Sequence, residues 1–372
     1  MSDHLPQELL AEILSRLPVK SLLKCRCVSK TWYSLITDPS FIAQHLKKTA
    51  ARNSGLLFFR YSTREFVWPF KENVRYLLYP DESFPANPVE ELDCPFKGIK
   101  RLANIVGSCN GVFCLSYDVY GKYTERASLW NPSVRKNVNI PCPIFTFTSY
   151  GPYIPSLGFG FDSTTDDYKL VRIVCSHFNF GEIRPFVEIY SLRSRGWRKV
   201  DNNLQYVITA RSTSAFLNRA CHWVATKRGY GHGVCDAIVS FSLGEEVLEK
   251  WRGKLFYSLD DERIWCSRIL DQTFDIPDFE SHLKWIRKLV AFRQSGKVLL
   301  AKLFGQLVFY DPKTEEIFDT KIRGDALSFY LDTFVESLVL LNEANEFTEL
   351  EASEDNGTNE ILERLHLALI HR

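Results

Sequence analysis

Residues that could do chemistry are present in this chain, but their spacing favours packing and turns over catalysis. The segment "RGYGHGVCD", residues 228–236, contains three glycines. A phosphate-binding loop needs its glycines between a strand and a helix, so a flexible loop is the better interpretation. Cys221 and His222 are neighbours in an apolar strand, "ACHWVA", where adjacent side chains face opposite sides and a packed pair is favoured. No nucleophile elbow or P-loop is present, and we expect no enzymatic activity.

The cysteines and acidic pairs do not predict a metal site. The ten cysteines are scattered and form no CxxC pair. Cys25 and Cys27 are predicted on a helix, where residues two apart face different sides, and Cys109 and Cys114 in a hairpin. Asp166-Asp167 is typical of a turn. We therefore expect buried free thiols, no bound metal and no cofactor.

Composition and charge are those of an ordinary soluble protein. The chain has 372 residues, 45% of them hydrophobic and 24% charged, with a formal net charge of +1, which predicts about two domains and no general affinity for nucleic acid. No apolar run approaches the ~20 residues of a membrane span, and "MSDHLPQELL" lacks the features of a signal peptide. We expect a protein of the cytoplasm, the nucleus or both, binding neither nucleic acid nor a membrane.

A small helical module, residues 1–50, is predicted from apolar residues at helical spacing. One stripe comprises Leu5, Leu9, Leu10, Ile13, Leu14 and Leu17. A second set, after Pro18, comprises Val19, Leu22, Leu23, Cys27 and Val28, followed by Trp32, Leu35 and Ile36. Pro6 suits a first helical position, and Asp38-Pro39 predicts a capped start for a further short helix. The pattern predicts three main helices.

This module has more large apolar side chains than one small core can bury. Either it docks on the rest of the chain or it offers a hydrophobic surface to another protein, and periodicity alone leaves both open. Its excess of basic residues suits an acidic partner or a solvated helix face. Those residues include Lys20, Lys24, Arg26 and Lys30.

The body, residues 51–342, reads as short strands in a repeated unit. Four segments share an aromatic residue, a turn and a second strand: "LWNPSVRKNVNIP", "EIYSLRSRGWRKV", "SFSLGEEVLEKW" and "VFYDPKTEEIFDT". Each follows another hairpin, such as the one predicted at Asn110-Gly111. Four antiparallel strands repeated along the chain favour a β-propeller over a single β-sandwich. Closure is expected to bring residues 54–68 and 326–341 into one blade or adjacent blades.

Strand parity places the tight turns on one face of such a propeller and the long connections on the other. The long connections are rich in aromatic and arginine side chains, which are enriched at recognition sites. The candidate target-binding residues are Phe145, Phe147, Tyr150, Tyr153, Phe178, Phe180, Arg184, Arg228 and Tyr230. Burial of many of these aromatics under their own loops is the alternative.

The string "LPQELLAEILSRLPVKSLLKCRCVSKTWYSLITDPSF" resembles a plant-type F-box. In that family the motif binds a Skp-type linker protein and, through it, a cullin. The resemblance implies that the contacts or their packing supports are Leu5, Pro6, Leu9, Ile13, Leu17, Pro18, Leu22, Leu23, Cys27, Val28 and Trp32.

The body is similar to the F-box-associated, kelch-like domain of plant F-box/kelch-repeat proteins, on "GSCNGVFCL", "LWNPSVRK" and "GFGFDSTTDDYKLVRIV" among other segments. Residues 251–285 depart from the family pattern, so a blade is expected to be missing or irregular. Residues 343–372 are predicted as an acidic linker and a short helix. The resemblance implies a non-catalytic substrate-recognition subunit of a cullin-RING ubiquitin ligase. A propeller enzyme of the glycosidase type and an F-box scaffold outside any ligase are the alternatives.

Overall fold

The computed structural model describes residues 6–52, 55–65, 71–93, 104–116, 126–146, 153–176, 185–202, 206–208, 214–227, 237–250, 285–293 and 295–344. Helices occupy the beginning of this part of the chain and strands the rest. The expected C-terminal helix and most of the segment that departs from the family pattern lie outside the described residues. So does Leu5.

Four helices form the N-terminal module, where the sequence predicts three main helices and a further short one. They are α1 (Gln7–Leu14), α2 (Val19–Cys25), α3 (Lys30–Thr37) and α4 (Pro39–Arg52). Pro18 separates α1 from α2, and the Ser29 hydroxyl accepts a hydrogen bond from the Trp32 N–H at the start of α3. Asp38 caps α4 by accepting the Ser40 N–H at 2.8 Å, as Asp38-Pro39 predicts. The helix expected to be short runs for 14 residues.

Twenty-one strands follow among the described residues. The first eleven are β1 (Leu56–Glu65), β2 (Lys71–Pro80), β3 (Glu90–Leu92), β4 (Asn104–Cys109), β5 (Val112–Ser116), β6 (Ala127–Asn131), β7 (Lys136–Ile140), β8 (Tyr153–Asp162), β9 (Asp167–Ser176), β10 (Phe186–Ser191) and β11 (Gly196–Val200). The others are β12 (Tyr206–Ile208), β13 (Ala215–Leu217), β14 (Ala220–Lys227), β15 (Ala237–Ser242), β16 (Leu248–Lys250), β17 (Ile286–Phe292), β18 (Val298–Lys302), β19 (Gln306–Asp311), β20 (Glu316–Arg323) and β21 (Tyr330–Thr333).

These strands form a propeller with five blades in the described part of the chain, which confirms the predicted fold class. Blade 1 is β21-β1-β2-β3, blade 2 is β4 to β7, blade 3 is β8 to β11, blade 4 is β12 to β16 and blade 5 is β17 to β20. In blade 4, β12 and β13 pair with successive halves of β14 and act as one interrupted strand. Contacts of β4 with β8, β8 with β13 and β17 with β21 place the first strand of each blade at the centre.

Blade 1 joins the two ends of the body. Strand β21 pairs antiparallel with β1, with Leu57 opposite Thr333 and Arg60 opposite Tyr330. The last strand of the body therefore supplies the innermost strand of the first blade, as the closure argument predicts. This pairing satisfies an edge of β1 that would otherwise be open to other chains.

Apolar side chains fill the spaces between neighbouring blades. The aromatic residues that mark the repeat in the sequence are all buried on the third strand of their blades: Trp130, Tyr190, Phe241 and Tyr310. Between blades 3 and 4 the packing requires a glycine, because a Cβ on Gly158 would lie 2.4 Å from the Trp223 ring. The spacing of the aromatic residues in the sequence therefore reflects one buried aromatic side chain on the third strand of each of blades 2 to 5.

The turn between the third and fourth strands has the same construction in blades 2 to 5. Its first residue accepts a backbone N–H with its side chain: Asn131 from Ser133, Ser191 from Ser194, Ser242 from Glu245 and Asp311 from Lys313. Its fifth residue has a positive φ: Arg135, Arg195, Glu246 and Glu315. Short polar side chains at the first position stabilise these turns locally.

Candidate functional site

The N-terminal helices expose a group of apolar side chains to solvent. Leu9 and Ile13, one turn apart on α1, are 53% and 52% exposed, and Val28 and Tyr33 are 64% and 52% exposed. Pro6, Pro18 and Cys27 are also exposed. We call these four exposed residues, Leu9, Ile13, Val28 and Tyr33, the helical apolar surface. Neighbouring exposed apolar side chains, such as Leu9 and Ile13, mark candidate sites of protein association.

A different side of the same helices is seated on the propeller. Leu10, Leu14 and Phe41 belong to one buried cluster with Val134, Leu338 and Leu341 of the body. The Asn342 side-chain amide adds a hydrogen bond to the Thr37 carbonyl at 2.8 Å. The module therefore docks on the body with one side, which was the first alternative, and leaves apolar residues exposed to solvent on another.

His45 is buried in α4 within this seated part of the module. Its Nε2 lies 2.9 Å from the Leu17 carbonyl oxygen, which requires a proton on Nε2. Its Nδ1 is buried and has no hydrogen-bond partner among the described residues, so a second proton would find no acceptor there. Burial lowers the pKa of His45, assisted by Arg52 and Lys48 and opposed by the Leu17 hydrogen bond and the charge of Glu336.

We expect the stability of the full chain to fall as the pH drops below ~6.5, the ordinary value for histidine. A depressed folded-state pKa means that the unfolded chain binds more protons in this range, so stability is present above it and is lost as pH decreases. Melting temperatures from pH 7.5 to 5 should decline less steeply in His45→Gln than in the wild type. Because His222 is unchanged in both proteins, the difference in slope isolates His45. Equal slopes would contradict the assignment.

The two faces of the propeller differ. The tight turns, among them those at Asn110-Gly111 and Asp311–Glu315, lie on one face, here called the turn face, and the helices lie on this side. The opposite side, here called the loop face, holds the strand ends that flank the long connections, such as Ser116 and Ala127. The topology thus puts the helices and the long connections on opposite sides.

A profile described as the F-box domain matches residues 2–44. Another, described as the F-box associated beta propeller domain, matches residues 88–260. The chain belongs to the F-box proteins. The helical module is its F-box, and the body is its F-box-associated propeller.

Proteins similar to this F-box protein in sequence are themselves described as F-box proteins. F-box protein CPR1 of Arabidopsis thaliana is 25% identical over 90% of this chain and 89% of its own length. An F-box/kelch-repeat protein of the same plant is 29% identical over 67% of this chain and 65% of its own. These likenesses support a substrate-adaptor role. Among solved structures, an oligogalacturonate lyase in complex with manganese covers 72% of this chain at 8% identity, but its TM-score of 0.29 is too low to support an argument.

The predicted F-box contacts divide into exposed and buried residues. Solvent reaches Pro6, Leu9, Ile13, Pro18, Cys27 and Val28. Leu22 is fully buried, and Leu17, Leu23 and Trp32 are partly buried against the same cluster, so these four support the helices. Tyr33, which follows Trp32 on α3, was not among the predicted contacts. Its ring centroid lies 5.4 Å from the Arg26 guanidinium carbon.

Phe145 requires a correction among the predicted target-binding residues. It is 4% exposed and stacks on Phe186 with ring centroids 4.4 Å apart. Its N–H donates to Glu188 and its carbonyl accepts from Arg172, which hold residue 145 against blade 3. Phe145 is therefore buried, which was the alternative to a role in target binding. Tyr153 begins β8, but its side chain is outside the description, as are Phe147, Tyr150, Phe178, Phe180, Arg184, Arg228 and Tyr230.

Blade 5 exposes two aromatic residues on the loop face that the sequence did not single out. Trp285 is 59% exposed and Phe304 is 81% exposed, with ring centroids 6.1 Å apart. Phe304 lies in the short turn between β18 and β19, where the other blades were expected to have long connections. The sequence feature that could have indicated Phe304 is its position directly before a turn glycine, Gly305, and outside any apolar strand.

No described feature favours the propeller-enzyme alternative. The described inner strands carry two carboxylates. Asp162 at the end of β8 is paired with Lys169 at 2.8 Å, and Asp332 accepts hydrogen bonds from Ser108 and Tyr330 at 2.6 and 3.1 Å. Every described carboxyl group with a resolved pKa shift is shifted downward: Glu12, Asp38, Glu91, Asp162, Glu246 and Asp319. A general acid needs the opposite shift. Within the described ranges, no three potential metal ligands are grouped and no helix is long and apolar enough to cross a membrane.

Proposed function

We propose that this chain is the substrate-recognition subunit of a cullin-RING ubiquitin ligase of the SCF type. The helical apolar surface binds a Skp-type linker protein, and the loop face of the propeller binds a target protein. The observation that carries this proposal is the two-sided F-box. Leu10 and Leu14 are buried against the body, whereas Leu9 and Ile13 on the same helix remain half-exposed.

Charge supports an acidic partner for the helices. Lys20 and Lys24 on α2 and Lys30 on α3 are exposed in the same module as the helical apolar surface, whereas Glu12 is paired with Arg16 and Lys48. Cations at the rim of an apolar contact speed association with a negatively charged surface and add specificity. The linker is therefore expected to present an apolar groove with an acidic margin.

In this proposal the chain does no covalent chemistry. It holds the target on one side of the propeller and the ligase on the other, which raises the effective concentration of the target at the transfer machinery. Trp285 and Phe304 are the described residues best placed to contact a target, because rigid aromatic side chains give large contact area at low entropic cost. Action in the cytoplasm or nucleus stays part of the proposal, and imaging of the tagged full chain would check it.

The test is affinity purification of the tagged full chain from cells treated with a proteasome inhibitor. A linker and a cullin should co-purify, together with proteins that carry ubiquitin. Phe304→Ser should lose ubiquitinated proteins and retain the linker, whereas Phe318→Ser, a change on outer strand β20 of the same blade, should lose neither. Recovery of the linker without cullin would instead indicate a scaffold, and recovery of neither would refute the proposal.

A further inference from the structure

The segment that follows the last strand crosses the turn face of three blades. We call residues 334–343 the strap. At its beginning, the Phe334 N–H donates to the Leu56 carbonyl in blade 1 at 2.8 Å. At its end, the Glu343 carbonyl accepts from Lys136 of blade 2 at 2.7 Å, and the Glu343 carboxylate pairs with Arg195 of blade 3. The strap is therefore bound along its length to the rim of the propeller.

Asn131 in blade 2 is the main anchor of the strap. Its side-chain nitrogen donates to the Ser337 carbonyl and hydroxyl oxygens, both at 3.0 Å, and to the Val339 carbonyl at 2.8 Å. Both Asn131 and Ser337 are 0% exposed. Buried carbonyl groups need a hydrogen-bond donor, and removing it costs more than the bond contributes in water.

A glycine makes room for the strap beside this anchor. In the turn between β4 and β5, a Cβ on Gly111 would lie 2.2 Å from the Val335 carbonyl oxygen. Gly111 also has a φ of +77°, which the tight turn requires. The Asn110-Gly111 turn is therefore shaped by its contact with the strap as well as by the hairpin.

The other side of the strap carries the F-box. Leu338 and Leu341 are 0% and 6% exposed and pack among the F-box residues Leu14 and Phe41. Asn342 donates to the carbonyl of Thr37 at the end of α3. The strap thus lies between the propeller rim and the helices and contacts both.

Comparison of equivalent turns separates two roles of Asn131. Ser191, Ser242 and Asp311 occupy the same first position in blades 3, 4 and 5, and each accepts a backbone N–H as Asn131 does. An aspartate serves equally well for that role in blade 5. The amide N–H₂ of Asn131 is additional, and it is directed at the strap.

We propose that the strap fixes the orientation of the F-box on the propeller, and that Asn131 is the positioning residue that fixes the strap. This positioning role is additional to linker and target binding, and it is a property of the chain alone. A subunit that must present a target to a distant transfer site gains from a fixed angle between its two binding surfaces, because a fixed geometry raises effective concentration.

The experiment compares two isosteric changes of opposite chemistry at equivalent positions. Asn131→Asp keeps the acceptor for the Ser133 N–H but replaces the strap's donor with a carboxylate that faces carbonyl oxygens. Asp311→Asn makes the reverse change in blade 5, where no strap residue is bound. Spin labels are placed through encoded non-natural amino acids at the exposed positions Lys24 on α2 and Ser163 in blade 3, which leaves the native thiols untouched.

Double electron–electron resonance measures the distance between the labels in the full chain. Samples are prepared at a temperature below the melting temperature of each variant, so that every variant is folded. The wild type and Asp311→Asn should show one narrow peak in the distribution of label distances. In Asn131→Asp this distribution should become broad or shifted. A narrow, unshifted peak in Asn131→Asp would overturn the proposal, as would equal broadening in Asp311→Asn. If Asn131→Asp does not fold, Leu341→Ser decides by the same measurement, because it removes a strap contact to the helices and keeps Asn131.

Discussion

Replacement of Leu9 and Ile13 by aspartate should abolish capture of the linker by the full chain. The two side chains lie one turn apart on α1 and are half-exposed, so both belong to the helical apolar surface. Truncation of a central apolar contact costs about 1–3 kcal/mol each. Together the two changes should weaken binding at least ~30-fold, since each 1.4 kcal/mol is a factor of ten. Two buried carboxylates at the contact would weaken it further.

The measurement is a titration of purified linker onto the full chain, with circular dichroism to show that both variants remain folded. Leu327→Asp is the matched control, because Leu327 is 47% exposed and lies in the connection between β20 and β21 on the loop face. The control should bind the linker like the wild type. Unchanged affinity in the folded Leu9 and Ile13 double variant would remove the helical apolar surface from the proposed function.

Replacement of Arg172 by methionine should cost about 3–5 kcal/mol of folding free energy. Its side chain is 4% exposed and is paired with Glu188, whose side chain is 0% exposed. The same guanidinium donates to the Phe145 carbonyl at 2.8 Å, and Glu188 accepts the N–H groups of Ile144 and Phe145 at 3.0 and 3.3 Å. Loss of the cation leaves a carboxylate buried without its counter-charge, which is far costlier than loss of an exposed pair.

Urea unfolding of the full chain gives the comparison. Arg198→Met is the matched control: its side chain is 52% exposed and pairs with Glu246, so it should cost no more than about 1 kcal/mol. Addition of Glu188→Gln to Arg172→Met should recover part of the loss, because it removes the uncompensated charge. Equal midpoints for the Arg172 and Arg198 variants would show that the buried pair does not hold the residue 144–145 segment in place.

Local chemistry made much of this fold predictable. The Asp38-Pro39 cap, the Asn110-Gly111 turn and the recurring buried aromatic residues each act within a few residues of the chain, so their spacing carries the information. The propeller class followed from the repeat of these local units. The extra length of α4 did not, because its second half has no apolar stripe to mark it. That half is held by tertiary contacts, such as those of Lys48 with Ser15 and of Arg52 with the Arg16 carbonyl.

Long-range packing was not predictable in the same way. Leu9 and Leu10 have the same residue type and adjacent positions, yet one is exposed and the other packs near Leu338, more than three hundred residues away. The choice between them depends on where the strap passes, and no local pattern encodes that. Phe145 shows the converse case. Its aromatic side chain in a long connection predicted a role in recognition, but its backbone is bound by the buried ion pair of Arg172 on β9 and Glu188 on β10.

The pairing of β21 with β1 has a consequence for synthesis on the ribosome. The F-box leaves the exit tunnel before the propeller, but blade 1 lacks its inner strand until Thr333 has been translated. At ~5–20 residues per second this interval is roughly 15–55 s. During it the helices lack their contacts with Leu338 and Leu341, and the inner edge of β1 has no partner within the nascent chain. Early engagement by a chaperone or by the linker itself would shield both, and premature termination before β21 would yield an aggregation-prone fragment instead of a smaller working adaptor.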